Sequence, residues 1–137
     1  MLTVTTKGRY GTRVMLQLAR CYGNGPLLLK TIAEKEEISK GYLEQILPML
    51  KTAKLVQSSR GANGGYHLAK PPHKINLKEI VEALEGPITV VDCVDNANIC
   101  KRHKGCTARV VWKKLKKNMA QTLEQLTLKC LIEHENS

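Results

Sequence analysis

The sequence has few aromatic residues and no long apolar run. Only 4% of the 137 residues are aromatic and phenylalanine is absent, so the 42% of hydrophobic residues must build an aliphatic core. No run approaches the roughly 18 to 20 apolar residues of a membrane span, and the N-terminus lacks the apolar stretch of a signal peptide. We therefore expect a cytosolic protein with one domain, or a small domain plus an oligomerisation helix.

Acidic residues are missing from two long stretches. Residues 1–30 contain five Lys or Arg and no acid, and the stretch between Glu44 and Glu79 contains six and no acid. Residues 101–117 add eight more, within a chain whose formal net charge is +10. This distribution indicates a polyanionic partner. A solvated basic surface is the alternative that charge alone leaves open.

Four segments show the apolar spacing of amphipathic helices. They cover residues 7–22, 30–36, 39–51 and 76–85. The second and third are joined by a short turn, and the third has a polar outer face, which is typical of a helix-turn-helix. Ser39 and Asn76 are the expected N-caps of the last two. Pro48 should kink or shorten the third helix.

A glycine-rich hairpin follows the helix-turn-helix candidate. Leu55–Ser59 and Tyr66–Ala69 are predicted strands, and Gly61 and Gly64 lie between them with Arg60 at the edge of the tip. A hairpin directly after a helix-turn-helix is predicted to be a wing; an ordinary surface hairpin is the alternative.

Neither glycine nor proline interrupts the sequence from Thr107 to about His134. A continuous helix of this length would be roughly 40 Å long, which so small a domain cannot cover. The sequence therefore predicts a homodimer in which the two long helices pack together. The expected fold is mostly α with a small β wing. It comprises a winged helix-turn-helix DNA-binding domain (1–86), a cysteine-rich segment (87–106), and a dimerisation helix with its tail (107–137).

Three of the five cysteines lie in the polar segment CVDNANICKRHKGC, at Cys93, Cys100 and Cys106. Such a segment cannot order itself by burying apolar surface. In a reducing compartment, clustered thiols favour metal binding or redox chemistry over disulfides. The segment therefore predicts an iron–sulfur cluster, either [2Fe–2S] or [4Fe–4S]. Cys21 and Cys130 lie on apolar helical faces and are interpreted as packing residues.

These motifs together resemble the Rrf-two family of winged-helix transcription regulators, some of which are iron–sulfur sensors. The resemblance is carried by KGRYGTRVMLQLA, IAEKEEISKGYLEQIL, RGANGGYHLAKPP and the cysteine segment followed by ARVVW, and it covers about residues 5–131. It implies a homodimer on double-stranded operator DNA, with a helix in the major groove and the wing in the minor groove. By position, the DNA-contacting residues are Ser39, Tyr42, Glu44, Gln45 and Arg60, with Gly61 and Gly64 shaping the wing. Lys40 and Lys7 are better placed for phosphates.

The sequence departs from the family at the expected fourth cluster ligand. Family members complete the set with a His three residues after the last Cys, or with an Asp near the N-terminus of the other subunit. This chain has Arg109 and Arg9 there, and arginine cannot ligate iron. The open alternatives are an exogenous ligand, a ligand from the partner's first helix, and three nearby side chains: His103, Asp92 and Asp95. The spacing of Cys100 and His103 would also suit zinc.

A second departure is Lys54, where the family commonly has Gly. If that turn needs a positive φ, the lysine costs about 1 kcal/mol.

The predicted function is a DNA-binding transcription regulator, acting as a repressor, whose cluster senses redox state, nitric oxide or iron status. One alternative is a cluster-free winged-helix regulator with redox-active thiols or a protein or metabolite signal. The other is an iron–sulfur electron-transfer or carrier protein, which would need no wing. An enzyme is not expected, because no constellation has the spacing of nucleophilic or acid–base catalysis.

Overall fold

A computed structural model of the chain describes residues 3–61, 64–90, 94 and 104–135. Its elements in chain order are α1 (Thr6–Arg20), α2 (Leu29–Glu36), α3 (Lys40–Thr52), β1 (Val56–Ser59), β2 (Gly65–Leu68), a 3-10 helix (Pro72–Lys74), α4 (Leu77–Glu85), α5 (Thr107–Gln125) and α6 (Leu128–Glu135). The protein is therefore mostly helical with one two-stranded antiparallel sheet. This architecture confirms the predicted fold class.

The core lies between α1, α3 and α4. The apolar stripe of α3 is fully buried, as its spacing predicts, and consists of Leu43, Ile46, Leu47 and Leu50. Each such side chain contributes about 1.5–3 kcal/mol to folding. Among the described residues, no buried hydrophobic side chain is aromatic. Pro48 is exposed and α3 continues to Thr52, so the proline does not shorten the helix.

The two predicted N-caps are present. The Ser39 side chain accepts a hydrogen bond from the backbone N–H of Tyr42 at 3.1 Å, and the Asn76 side chain accepts one from that of Glu79 at 3.0 Å. Each cap satisfies an N–H that has no partner within its helix. The first residues of α3 and α4 are thus fixed by short local motifs.

The hairpin is paired to the loop that precedes α2. Within it, Val56 lies opposite Leu68 and Ser59 opposite Gly65. The backbone of Leu27 exchanges two hydrogen bonds with that of Tyr66, at 2.8 and 2.7 Å. The hairpin is therefore held to the helix-turn-helix by backbone as well as side chains.

The long C-terminal helix is present, but it ends earlier than predicted. Leu126 is extended, and its carbonyl accepts a hydrogen bond from the Leu77 N–H at 2.8 Å. The Leu128 N–H donates to the Ile75 carbonyl at 3.0 Å. These bonds replace helical ones, so the prediction of an unbroken helix to His134 is wrong.

The break changes which residues face inward. Leu128 is fully buried against the core, whereas Cys130 is exposed. Cys130 follows the break, so it does not lie on the continuous helical stripe that its interpretation as a packing residue assumed. Cys21 ends α1 and is half-buried.

Over its whole length, α5 contains no buried residue. Its large exposed apolar side chains are Val110, Val111, Trp112 and Leu115. None of the described helices combines the length and the apolar character that a membrane span requires.

Candidate nucleic-acid interface and cysteine segment

The outer face of α3 presents polar side chains at its N-terminal end. Lys40, Glu44 and Gln45 are exposed, as is Ser39 just before the helix. The Ser39 hydroxyl accepts the capping hydrogen bond and retains a proton to donate. Four of the residues predicted to contact DNA thus share one short, capped stretch.

Tyr42 is held by an aromatic contact with α1. Its ring meets that of Tyr10 edge-on, with centroids 5.6 Å apart and planes at 80°. The guanidinium carbons of Arg13 and Arg9 lie 5.3 and 5.9 Å from the Tyr10 centroid. Aromatic pairs of this geometry contribute about 0.5–1.5 kcal/mol beyond burial, so α1 fixes the direction of the Tyr42 side chain.

The wing has a backbone path that requires glycine. Gly61 has φ 102°. A Cβ on Gly64 would lie 2.5 Å from the Ser59 carbonyl oxygen, which no side chain can tolerate. Arg60 is exposed at the end of β1, and residues 62–63 lie outside the described part of the chain.

Lys7 lies in the first turn of α1 and is exposed. That turn is tied to the end of α4, because both the backbone N–H and the hydroxyl of Thr5 donate to the Glu85 carboxylate. The structure therefore places Lys7 on a fixed helix start.

Of the predicted cluster ligands, only Cys106 lies within the described residues. It occupies the N-cap position of α5, and its thiol is free and half-buried. Cys93, Cys100, His103, Asp92 and Asp95 lie outside the described residues. Within the described residues, no group of three or more His, Cys, Asp or Glu is arranged to hold a metal.

A small cavity of about 300 Å³ adjoins Cys106. Arg109 and Lys113 line it one and two turns further along α5, together with Gly105, Thr107 and Val110. The surroundings of the described cysteine are therefore cationic.

A network of ion pairs joins the C-terminal helix to the first two helices. Arg20 of α1 binds the Glu135 carboxylate of α6 at 2.5 and 3.0 Å and lies 3.9 Å from Glu36 of α2. Arg13 also contacts Glu36, at 3.2 Å. The hydrogen bond between Arg20 and Glu135 lowers the pKa of Glu135 and raises the pKa of Arg20. No sequence signal could have paired residues this far apart in the chain.

Known proteins are similar to this chain in both sequence and architecture. The Rrf2 (Rrf-two) family model, described as an iron-dependent transcriptional regulator, matches residues 4–134. The HTH-type transcriptional regulator CymR of Bacillus subtilis is 38% identical over 130 residues, covering 95% of this chain and 89% of CymR. The regulator IscR of Sodalis glossinidius is 32% identical over 134 residues, covering 98% of this chain and 82% of IscR.

Two solved structures agree with the fold. The structure of CymR, the global cysteine regulator of B. subtilis, has a TM-score of 0.84 at 37% identity, with 98% of both chains covered. T. potens IscR has a TM-score of 0.78 at 37% identity, covering 98% of this chain and 88% of its own. With its helix-turn-helix and wing, this chain belongs to the Rrf2 family of transcription regulators.

Proposed function

We propose that this chain is a homodimeric DNA-binding repressor whose operator affinity is controlled by an iron–sulfur cluster bound at Cys93, Cys100 and Cys106. The observation that carries the DNA-binding part is the exposed polar start of α3, capped by Ser39 and followed by a glycine wing with Arg60 at its edge.

The side chains on this surface suit the two grooves of DNA. Gln45 can pair with adenine and Glu44 can accept a hydrogen bond from cytosine in the major groove. Arg60 suits a narrow minor groove, whose potential is strongly negative. Ser39 and Tyr42 complete the proposed base-reading group, while Lys40 and Lys7 supply contacts to phosphates that add affinity without sequence information.

The described part of the cysteine segment is compatible with a cluster. Cys106 offers a free thiol at the start of α5, where the partial positive charge of the helix N-terminus favours an anion. Arg109 and Lys113 line the adjoining cavity and add positive charge, which offsets the negative charge of a thiolate-ligated cluster. When bound, the cluster would supply a redox-active, nitric-oxide-sensitive group.

The location of Cys106 connects the cysteine segment to the proposed dimer interface. Val110 and Val111 follow Cys106 after one turn of α5 and are 65% and 53% exposed in the single chain. At its other end, α5 is tied through Leu126 to the start of α4. A change in the ligation of Cys106 therefore acts on the helix that orients the two DNA-reading domains.

The fourth ligand is proposed to be exogenous, since Arg109 and Arg9 replace the family's His and Asp and α1 contains no His, Cys, Asp or Glu. His103, Asp92 and Asp95 are the candidates within the chain. A cluster with one weakly held position is easier for oxygen or nitric oxide to attack, which suits a sensor.

Anaerobic reconstitution with counting of iron and acid-labile sulfide tests the cluster. We expect Cys93→Ala, Cys100→Ala and Cys106→Ala to lose the bound iron, and Cys21→Ala and Cys130→Ala to retain it. Iron content that is unchanged in the first three variants would contradict the ligand assignment.

A cluster-free regulator is the second candidate. It is favoured by the 38% identity to CymR, whose structure is described as that of a cysteine regulator, and by Arg109 at the family's ligand position. Colourless wild-type protein without iron after the same reconstitution would support this candidate. A titration with duplex DNA separates both regulator candidates from the iron–sulfur carrier alternative, because a carrier should not bind the duplex.

A further inference from the structure

A basic groove lies between the end of α3 and the wing. It encloses about 710 Å³ and is lined by Lys51, Lys54, Val56, Gln57, Ser58, Arg60, Ala69 and Lys70. Four of these eight residues are cationic and none is acidic, in agreement with the acid-free stretch between Glu44 and Glu79. We refer to it as the wing groove.

Most of the positive charge in the wing groove is uncompensated. The Lys51 ammonium donates to the uncharged Ser58 hydroxyl at 2.8 Å, which holds it against β1 of the wing. Within the described residues, Lys51, Lys54 and Arg60 have no carboxylate within ion-pair distance, whereas Lys70 is paired with Glu79 at 2.8 Å. Charge that is held in place without a partner favours an anion from outside the chain.

Lys54 occupies a strained backbone position. Its φ is 63°, in the left-handed region where glycine is unstrained and a side chain is disfavoured. Its side chain is exposed. The lysine therefore costs stability, and the fold does not explain why a side chain is present there.

We propose that the wing groove of the protein binds the phosphates of the DNA strand that separates the major groove from the minor groove. This inference depends on the proposed function, in which α3 enters the major groove and the wing enters the minor groove. One sugar–phosphate strand must then cross between them, and the wing groove is the surface between those two elements. Lys51 and Lys54 bind its phosphates without reading sequence.

The experiment measures affinity for two duplexes between roughly 0.05 and 0.3 M salt, using whichever of the cluster-loaded and cluster-free forms binds DNA more tightly. One duplex is selected from a random library by repeated rounds of binding, and the other has an unrelated sequence. For Lys51→Gln, we expect both duplexes to be bound more weakly at 0.1 M salt, by roughly five- to tenfold for each protomer that contacts DNA. The slope of log affinity against log salt concentration should become smaller by about 0.9 for each such protomer. Lys129→Gln is the charge-matched control, because Lys129 lies on α6 and is exposed.

Lys54→Gly separates a binding role from a structural one. We expect the same loss of affinity and salt slope without any fall in melting temperature, because glycine relieves the left-handed strain. A lowered melting temperature with an unchanged salt slope would overturn the inference. So would a loss confined to the selected duplex, since phosphate contacts act on both. If wild-type protein binds neither duplex in either its cluster-loaded or its cluster-free form, the proposed function itself fails, which is a distinguishable result.

Discussion

Two helical glycines show how single residues set the geometry of the DNA-reading domain. A Cβ on Gly11 of α1 would lie 2.1 Å from a methyl carbon of Leu84 on α4. A Cβ on Gly41 of α3 would meet nothing within 4 Å. The first glycine is therefore needed for close packing of two helices, while the second leaves only the entropic cost of glycine in a helix.

The two positions predict opposite effects of the same substitution. We expect Gly11→Ala to lower the free energy of unfolding by about 1–3 kcal/mol through overpacking. Gly41→Ala should raise it by about 0.5–1 kcal/mol. Urea denaturation of both variants checks this, and equal effects of the same sign would contradict the packing described for α1 and α4.

The Arg20–Glu135 ion pair predicts a dependence on pH. Because the folded protein lowers the pKa of Glu135, the pair stabilises the folded state above the ordinary carboxyl pKa. This stability is lost as the pH falls through the lowered value. We expect Glu135→Gln to flatten the decline in unfolding free energy between roughly pH 5 and pH 3.

The measurement is chemical denaturation across that range at low salt, since salt screens so exposed a pair. A decline as steep as that of wild type would show that Glu135 does not contribute.

Residues whose role depends on near neighbours could be predicted from the sequence, and residues paired across the chain could not. Ser39 and Asn76 each cap a helix through an N–H three positions ahead, so the local motif was sufficient. The partner of Arg20 is 115 residues away. The resemblance indicated Lys54 as a residue that would be strained if its turn needs a positive φ, and the structure has that positive φ.

At the level of elements, α3 and α4 begin with equivalent caps but are proposed to differ in function. Ser39 is exposed at the proposed DNA-reading end of α3, whereas Asn76 lies beside the break between α5 and α6, where it is paired with Thr127. The two caps therefore form a matched pair for separating folding from DNA binding.

We expect Ser39→Ala and Asn76→Ala each to cost about 1 kcal/mol of stability through loss of the cap. Only Ser39→Ala should also weaken binding to the selected duplex, by roughly tenfold for one lost base contact. Parallel denaturation and DNA titration provide the check. Equal losses of DNA affinity in the two variants would indicate that Ser39 acts only as a cap.

The end of α5 is where helical periodicity gave the wrong boundary. No glycine or proline marks Leu126 or Thr127, and apolar residues continue in helical spacing through them. The helix ends because the Leu126 carbonyl and the Leu128 N–H, which a continuing helix would pair internally, bind backbone groups some 50 residues earlier. Those groups are the Leu77 N–H and the Ile75 carbonyl. A competing tertiary partner of this kind leaves no local signal.

At the level of the whole molecule, α5 extends an apolar face that its own chain leaves uncovered. Its exposed residues include Trp112, at 37%, and Leu115, at 42%. Four large apolar side chains exposed within six residues favour an interaction site on this helix, and a second copy of the same helix can cover them symmetrically.

We expect Val111→Asp to dissociate the proposed dimer, because the interface would then bury two unpaired carboxylates. Lys129→Asp is the matched control, since Lys129 is exposed on α6 and lies outside the proposed interface helix. Sedimentation equilibrium gives the mass of each variant. A dimer of unchanged stability in Val111→Asp would exclude this face as the interface.

The central claim is that a cluster at Cys93, Cys100 and Cys106 controls DNA binding through α5. Its most direct test is anaerobic titration of the selected duplex with cluster-loaded and cluster-free wild-type protein, at one salt concentration. We predict that affinity or preference over unrelated duplex differs at least tenfold between the two forms, and that Cys106→Ala behaves as cluster-free protein does. Equal affinity and equal preference in both forms would contradict the account.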